Sequence, residues 1–144
     1  MTAREYPKAP VCGVGVVCFK GDHVLLVKRS KPPIVWQWSI PGGGQELGET
    51  TREAALRELH EETGIEARLI GLIDVIDTLR RDDAGRVLYQ YTLVDFAAEW
   101  TAGEPVAGDD AADAKWVPIA DIGNHDLWAE TVRVIREAAA MRVR

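Results

Sequence analysis

The segment from Thr50 to Gly64 carries both of its own helix boundaries. Thr50 supplies an N-cap hydroxyl, and Glu53, three residues on, supplies the reciprocal acid of a capping box. Gly64 stands where the chain leaves the helix through a left-handed residue. Ala55, Leu56, Leu59 and Thr63 gather on one side at about 100° per residue, so this helix needs an apolar partner. Ahead of it, Pro41 is followed by glycines at 42, 43 and 44. A backbone so free of side chains either turns tightly or passes close to something.

The flanking segments read as strands. Residues 11–19 are β-branched and apolar, the Lys20-Gly21-Asp22 turn follows, and 23–29 returns as a hairpin partner. Lys31-Pro32-Pro33 breaks regular structure, and Trp36–Ile40 leads into the glycines. Beyond the helix, 65–79 is β-rich with a bend expected near Gly71. Asp82–Gly85 marks a turn, and Arg86–Trp100 returns as a strand. Thr101–Ala114 is expected to be a loop, Lys115–Ile119 a short strand, and 127–141 a second amphipathic helix. Strands on both sides of a central helix, with a closing helix, predict an α/β fold: an α/β/α sandwich around a mixed sheet. Residues 1–10 stand apart as an N-terminal extension, and 11–144 form one domain, the size 144 residues allow.

Charge narrows the partners. A net charge of −6 argues against a broad basic surface for nucleic acid. No apolar run suits a signal peptide or a membrane span, so a cytoplasmic protein with no membrane partner is expected. Cys12 and Cys18, six apart on one strand face, are read as reduced, packed thiols. Trp100, Trp116 and Trp128 are read as packing, and His23, His60 and His125 show no ligand spacing.

The same helix concentrates carboxylates. With Glu58 at 0°, Glu62 falls about +40° away and Glu61 about −60°, beside the apolar stripe. Like charges at i,i+4 repel, so something should offset the Glu58–Glu62 pair. A solvated acidic face and a site for a hard, oxygen-seeking cation such as Mg²⁺ both fit this spacing. Helix geometry alone does not choose between them.

The segment GGGQELGETTREAALRELHEETGI resembles, position for position, the signature of the Nudix hydrolases. The matching residues are Gly43, Glu49, Arg57, Glu58, Leu59, Glu61, Glu62, Gly64 and Ile65. Seven fixed residues and two apolar ones would coincide by composition at on the order of 10⁻⁹ per start point. The approach Trp38-Ser39-Ile40-Pro41-Gly42-Gly43, the Gly-Glu-Pro loop at 103–105 and Trp116-Val117-Pro118 are similar to the family as well. Arg29, Lys31-Pro32-Pro33 and Gly108-Asp109-Asp110 look most like bacterial members that are ADP-ribose pyrophosphatases.

The resemblance implies Mg²⁺, with Mn²⁺ as a substitute, held by Glu58, Glu62, Glu61 and the Gly43 carbonyl. It implies that Arg57 and Glu49 pair and orient those ligands. A proton acceptor is expected among the box glutamates or on the 104–113 loop, where Asp109 or Asp110 is the choice, with metal ligation the alternative role for so short a side chain. Arg29 could meet a phosphate, and Trp36, Trp38, Tyr89 and Tyr91 could stack on a nucleoside; Tyr89 and Tyr91 share a strand face. The expected partner is a small nucleotide, and a homodimer is consistent with the family. The leading expectation is hydrolysis of a diphosphate linkage in ADP-ribose or a similar nucleoside diphosphate derivative. A house-cleaning nucleoside triphosphate pyrophosphatase is the alternative enzyme, and a non-catalytic nucleotide-sensing module the alternative of another class.

Overall fold

Strand β1 (Val11–Lys20) organises the molecule because it is buried on both faces. Val16 and Cys18 point to one side and Val17 and Phe19 to the other, so a continuous apolar run serves two cores at once. A computed structural model describes residues 5–29, 37–108 and 111–142. Trp36, Lys31-Pro32-Pro33, Asp109 and Asp110 lie outside the described residues.

Along β1 runs β6 (Val87–Ala102), parallel and in register from Val11↔Tyr91 to Phe19↔Glu99. The outer partner of β6 is β5 (Glu66–Arg81), antiparallel to it. Its register slips between Leu69 and Gly71, where the bend was expected. On the other side, β2 (His23–Arg29) pairs with β1 only at the hairpin root, Phe19↔Val24 and Lys20↔His23. The two strands then part. The segment from 38 to 44 fills the gap, with β3 (Trp38–Ser39) against β2 and β4 (Gly42–Gly44) against β1. Glycine permits this entry, since a Cβ on Gly42 would come within 3.0 Å of the Val14 carbonyl oxygen. Finally β7 (Ala111–Pro118) pairs with β2. The result is a mixed seven-stranded sheet.

Helix α1 (Thr51–Thr63) covers one face and α2 (Ala129–Met141) the other, the expected α/β/α sandwich. Both halves of the capping box on Thr50 and Glu53 are formed, and Gly64 is left-handed at φ 75°. The α1 core holds Ala55 and Leu59 against Val16, Leu25, Ile65 and Phe96. Leu59 is wholly buried, which contributes about 2 kcal/mol. Ala54 also faces this core, whereas Leu56, expected on the buried side, is exposed. The buried face thus takes in Ala54 and leaves Leu56 out.

Other boundaries moved. The flanking strands extend into the expected loop at 101–114, β6 to Ala102 and β7 from Ala111, and among the described residues 103–108 remain outside them. Residues 119–124 form a 3₁₀ turn, and α2 begins at Ala129 with Trp128 as N-cap. Trp128 is 45% exposed, so it is not the packing residue the sequence suggested. The cysteines are free thiols, Cys18 buried and Cys12 half-buried. Among the described residues no helix is long and apolar enough to cross a membrane.

Candidate metal and diphosphate site

The chain between β4 and α1 folds into a tight turn before the helix begins. Glu46 and Glu49 close it from both ends, through Glu49 N to Glu46 O at 3.2 Å and Glu46 N to Glu49 Oε1 at 2.8 Å. Gly48, at φ 94°, makes the bend available. The turn aims the Glu49 carboxylate at α1, where Arg57 lies two turns along the helix.

Arg57 is the hub. Its Nε and Nη2 donate to the two oxygens of Glu49 at 2.9 and 2.6 Å, a bidentate fit of planar guanidinium to planar carboxylate. Nη2 also donates to the Gly44 carbonyl at 2.9 Å, tying α1 to β4. Nη1 donates to Glu58 Oε1 at 2.9 Å and to Glu61 Oε2 at 3.1 Å, with Glu46 at 3.8 Å. The hydrogen bonds from Arg57, and next the one from the Glu46 amide, hold the Glu49 carboxyl at about 2, well below the ordinary carboxylate range. The same carboxylate, followed by Glu58, drives the guanidinium still further above its usual range. The Arg57 guanidinium therefore offsets repulsion between Glu58 and Glu61 on the helix.

Among the described residues Arg57 faces Glu46, Glu49, Glu58 and Glu61, which together offer an oxygen-only donor set. That set suits a hard divalent cation. Glu58 and Gly43 supply its closest-fitting part. A Cβ on Gly43 would lie 2.6 Å from Glu58 Oε1, and closer still to the rest of the carboxyl group. Only a glycine lets the β4 backbone and the Glu58 carboxylate come side by side. Among the described residues no three acidic, histidine or cysteine side chains already converge on one point, since Glu58 and Glu61 each lend an oxygen to Arg57. Their remaining oxygens, Glu62 one turn beyond Glu58, and the Gly43 backbone are the groups from which a cation could be held.

The other expected residues are more scattered. Asp109 and Asp110 lie outside the described residues, but Gly108 before them donates its amide to the Glu62 carbonyl at 2.8 Å. Arg29 sits exposed at a register slip closing β2, its amide donating to Gln37 O at 3.1 Å. Tyr89 and Tyr91 do stack, with ring centroids 6.5 Å apart and planes 22° apart. They share their sheet face with Leu93, on the α2 side, not the α1 side that carries the acids. By register, Tyr91 lies two residues along and two strands across from Gly44, a separation of about 12 Å. Trp38 packs toward the α2 core with Lys115 Nζ 4.5 Å and Lys28 Nζ 5.7 Å from its ring centre, and with His125 edge-on at 6.1 Å.

Two participants escaped the sequence reading. Glu46 and the Gly44 carbonyl join the Arg57 cluster only because the 45–50 turn folds back, and no residue spacing announces that. Asp95 is the other unforeseen charge. It is only 6% exposed, beside Gly15 on the α2 face, and burial pushes its carboxyl up to about 6, Asp74 adding to the rise and Arg133 opposing it.

Known proteins bear directly on this arrangement. The family model described as NUDIX domain matches residues 10–138. An ADP-ribose pyrophosphatase of Methanocaldococcus jannaschii is 36% identical over 107 residues, 74% of this chain and 61% of that protein. A putative 8-oxo-dGTP diphosphatase of Bacillus subtilis is 35% identical over 103 residues, 71% of this chain and 62% of that protein. The matches thus span about three-fifths of these relatives' lengths. The NUDIX domain of Shewanella oneidensis NrtR, solved in complex with ADP ribose, superposes with a TM-score of 0.75 at 26% identity, over 95% of this chain and 90% of that one. A MutT NUDIX hydrolase from Burkholderia pseudomallei superposes with a TM-score of 0.76 at 25% identity, over 90% and 98%. With the family model covering nearly the whole chain and the box residues gathered around Arg57, this protein belongs to the Nudix family.

Proposed function

We propose that this chain is a Mg²⁺-dependent hydrolase that cleaves a diphosphate linkage in a nucleoside diphosphate derivative, ADP-ribose or a close relative. The observation that carries the reading is the junction of Gly43 with Glu58, braced by Arg57 on Glu49. Glu58, Glu61, Glu62 and the Gly43 carbonyl would hold the ion, and Mn²⁺ could replace it. When bound, the ion would neutralise the diphosphate and make water easier to deprotonate. Arg57 and Glu49 act one step back, fixing where the Glu58 and Glu61 carboxylates stand. Asp109 or Asp110, following the loop that abuts α1, would accept the proton of the attacking water. Arg29 is assigned to a phosphate. Tyr89 and Tyr91, with Trp36, are assigned to the nucleoside. A homodimer is part of this reading only by family likeness.

A second reading, a nucleoside triphosphate pyrophosphatase, is favoured by the Bacillus subtilis relative. One screen separates the two: ADP-ribose, dinucleoside polyphosphates, NADH and modified nucleoside triphosphates with Mg²⁺, products identified by mass. AMP and ribose phosphate from ADP-ribose as the fastest reaction supports the first reading. Monophosphate and pyrophosphate from a triphosphate as the fastest supports the second. No divalent-dependent turnover of any of them removes both.

A further inference from the structure

The C-terminal end of α1 is finished by another part of the chain. Helix ends leave their last four carbonyls without helical partners. Here Gly64 N donates to His60 O at 2.8 Å, Val106 N to Thr63 O at 2.9 Å and Gly108 N to Glu62 O at 2.8 Å. The segment 103–108 therefore clamps the turn from which Glu61 and Glu62 project. Two glycines let it come so near. A Cβ on Gly103, which has φ 100°, would sit 2.6 Å from Gly64 O. On Gly108 it would clash with the Glu61 carbonyl oxygen and lie 3.1 Å from Glu62 Cα. These obstacles are backbone atoms, which cannot swing aside as a side chain can. Trp100 anchors the clamp, its Nε1 donating to Gly103 O at 2.9 Å.

We propose that Gly108 is a positioning residue for the metal carboxylates: its bare Cα against Glu61 O and its amide on Glu62 O fix the last turn of α1 so that Glu61 and Glu62 stand ready for the cation. The inference rests on the reading that α1 holds a divalent ion, and it adds a second support opposite the Arg57 brace. Arg57 steadies Glu58 and Glu61 through their side chains, and the clamp steadies Glu61 and Glu62 through their backbone. Neither could substitute for the other.

The test is Mn²⁺ binding without substrate, followed by electron paramagnetic resonance, with turnover and thermal unfolding measured beside it. Gly108→Ala should weaken Mn²⁺ binding about tenfold, the order seen when groups behind metal ligands are lost. It should lower kcat at fixed Mg²⁺ while leaving KM for the nucleotide within about twofold of wild type. Gly123→Ala, where an added Cβ meets nothing within 4 Å, should match wild type. Trp100→Phe keeps an aromatic ring on the core while removing the donor to Gly103, so it decides the matter if Gly108→Ala does not fold. It should weaken Mn²⁺ binding in the same direction by a smaller factor. Wild-type binding left unchanged in whichever of the two variants folds, even with a lowered melting temperature, overturns the proposal alone. Wild-type protein that binds no Mn²⁺ overturns it together with the hydrolase reading.

Discussion

Arg57 meets Glu49 side-on, Nε 2.9 Å from Oε2 and Nη2 2.6 Å from Oε1, so that a loop residue and a helix residue eight positions apart act as one rigid unit. The unit also holds Gly44 O, Glu58 and Glu61. Lysine cannot replace this geometry, because a single ammonium offers no planar fork. Arg57→Lys should therefore lower kcat/KM by about 10- to 100-fold with the fold intact by circular dichroism. Near-wild-type kinetics in that variant would show the fork to be ornamental.

The same pair has an acid signature. Glu49 has its folded-state carboxyl held at about 2, below its value in the unfolded chain. Its contribution to stability is thus complete above the unfolded value and is lost as pH falls toward 2. Carboxyl-carbon NMR titration should find the Glu49 midpoint near 2 in the wild type and back in the ordinary range in Arg57→Ala. A Glu49 midpoint that Arg57→Ala leaves in place would sever the pair as the cause.

Gly43 gives a prediction of the opposite kind, in which adding atoms does the damage. In Gly43→Ala the new methyl must displace the Glu58 carboxylate, which it would otherwise approach to under 3.0 Å. Loss of metal-dependent turnover comparable to that of Glu58→Gln is expected, with a melting temperature close to wild type. A Gly43→Ala protein as active as wild type would mean that the contact between β4 and Glu58 has no part in the chemistry.

How far the sequence could be read depended on how local each interaction was. The capping box on Thr50 and the left-handed Gly64 depend on residues a few positions apart and are formed as expected, and the Arg57–Glu49 partnership that the family resemblance implied is formed too. The continuous apolar run at 11–19 likewise read as a buried strand, and β1 serves the two cores through Val16 on one face and Val17 on the other. What could not be read were relations fixed by sheet register. The parting of β1 from β2, with residues 38–44 inserted between them, leaves no trace in composition. The start of β7 at Ala111 depends on pairing with β2, which overrides a Gly- and Asp-rich local preference for loop. Leu56 failed because the buried face of α1 runs through Ala54, Ala55, Leu59 and Thr63, and which flank of an apolar stripe is covered depends on how the helix sits on the sheet.

Asp95 predicts an effect on stability with a definite pH dependence. Its carboxyl lies on the α2 face beside Gly15, where a Cβ would come within 3.0 Å of Oδ1 and 2.9 Å from Ile40 Cδ1. Burial first, then the charge of Asp74, raise it to about 6, against the pull of Arg133, which also binds Asp74, Glu130 and Glu137. A folded value above the unfolded one means the folded chain holds the proton more tightly, so stability falls as pH rises from about 4 to about 6. Asp95→Asn keeps the shape and abolishes the ionisation. It should stabilise at pH 8 by on the order of 2–3 kcal/mol and change little at pH 4. Urea unfolding at the two pH values measures the difference, and equal effects at both would remove the buried charge as the cause.

Tyr89 and Tyr91 test whether the nucleoside lies on the face opposite the acids. Stacked at 6.5 Å and half-buried, they offer an aromatic shelf about 12 Å from Gly44 by strand spacing. An interaction made equally in the bound substrate and the transition state alters KM and leaves kcat alone. Tyr91→Ala should accordingly raise KM for ADP-ribose about tenfold, since stacking on an aromatic side chain is worth roughly 1–3 kcal/mol per base. Its kcat should hold, because the Arg57 cluster lies across the sheet and is untouched. Tyr91→Phe should behave as wild type if the ring face is what binds. A drop in kcat without a change in KM would place the nucleoside elsewhere and leave the tyrosine pair as support for the β5–β6 hairpin, where Tyr6 donates its hydroxyl to Asp82 at 2.8 Å and its amide to Leu88 O at 2.9 Å.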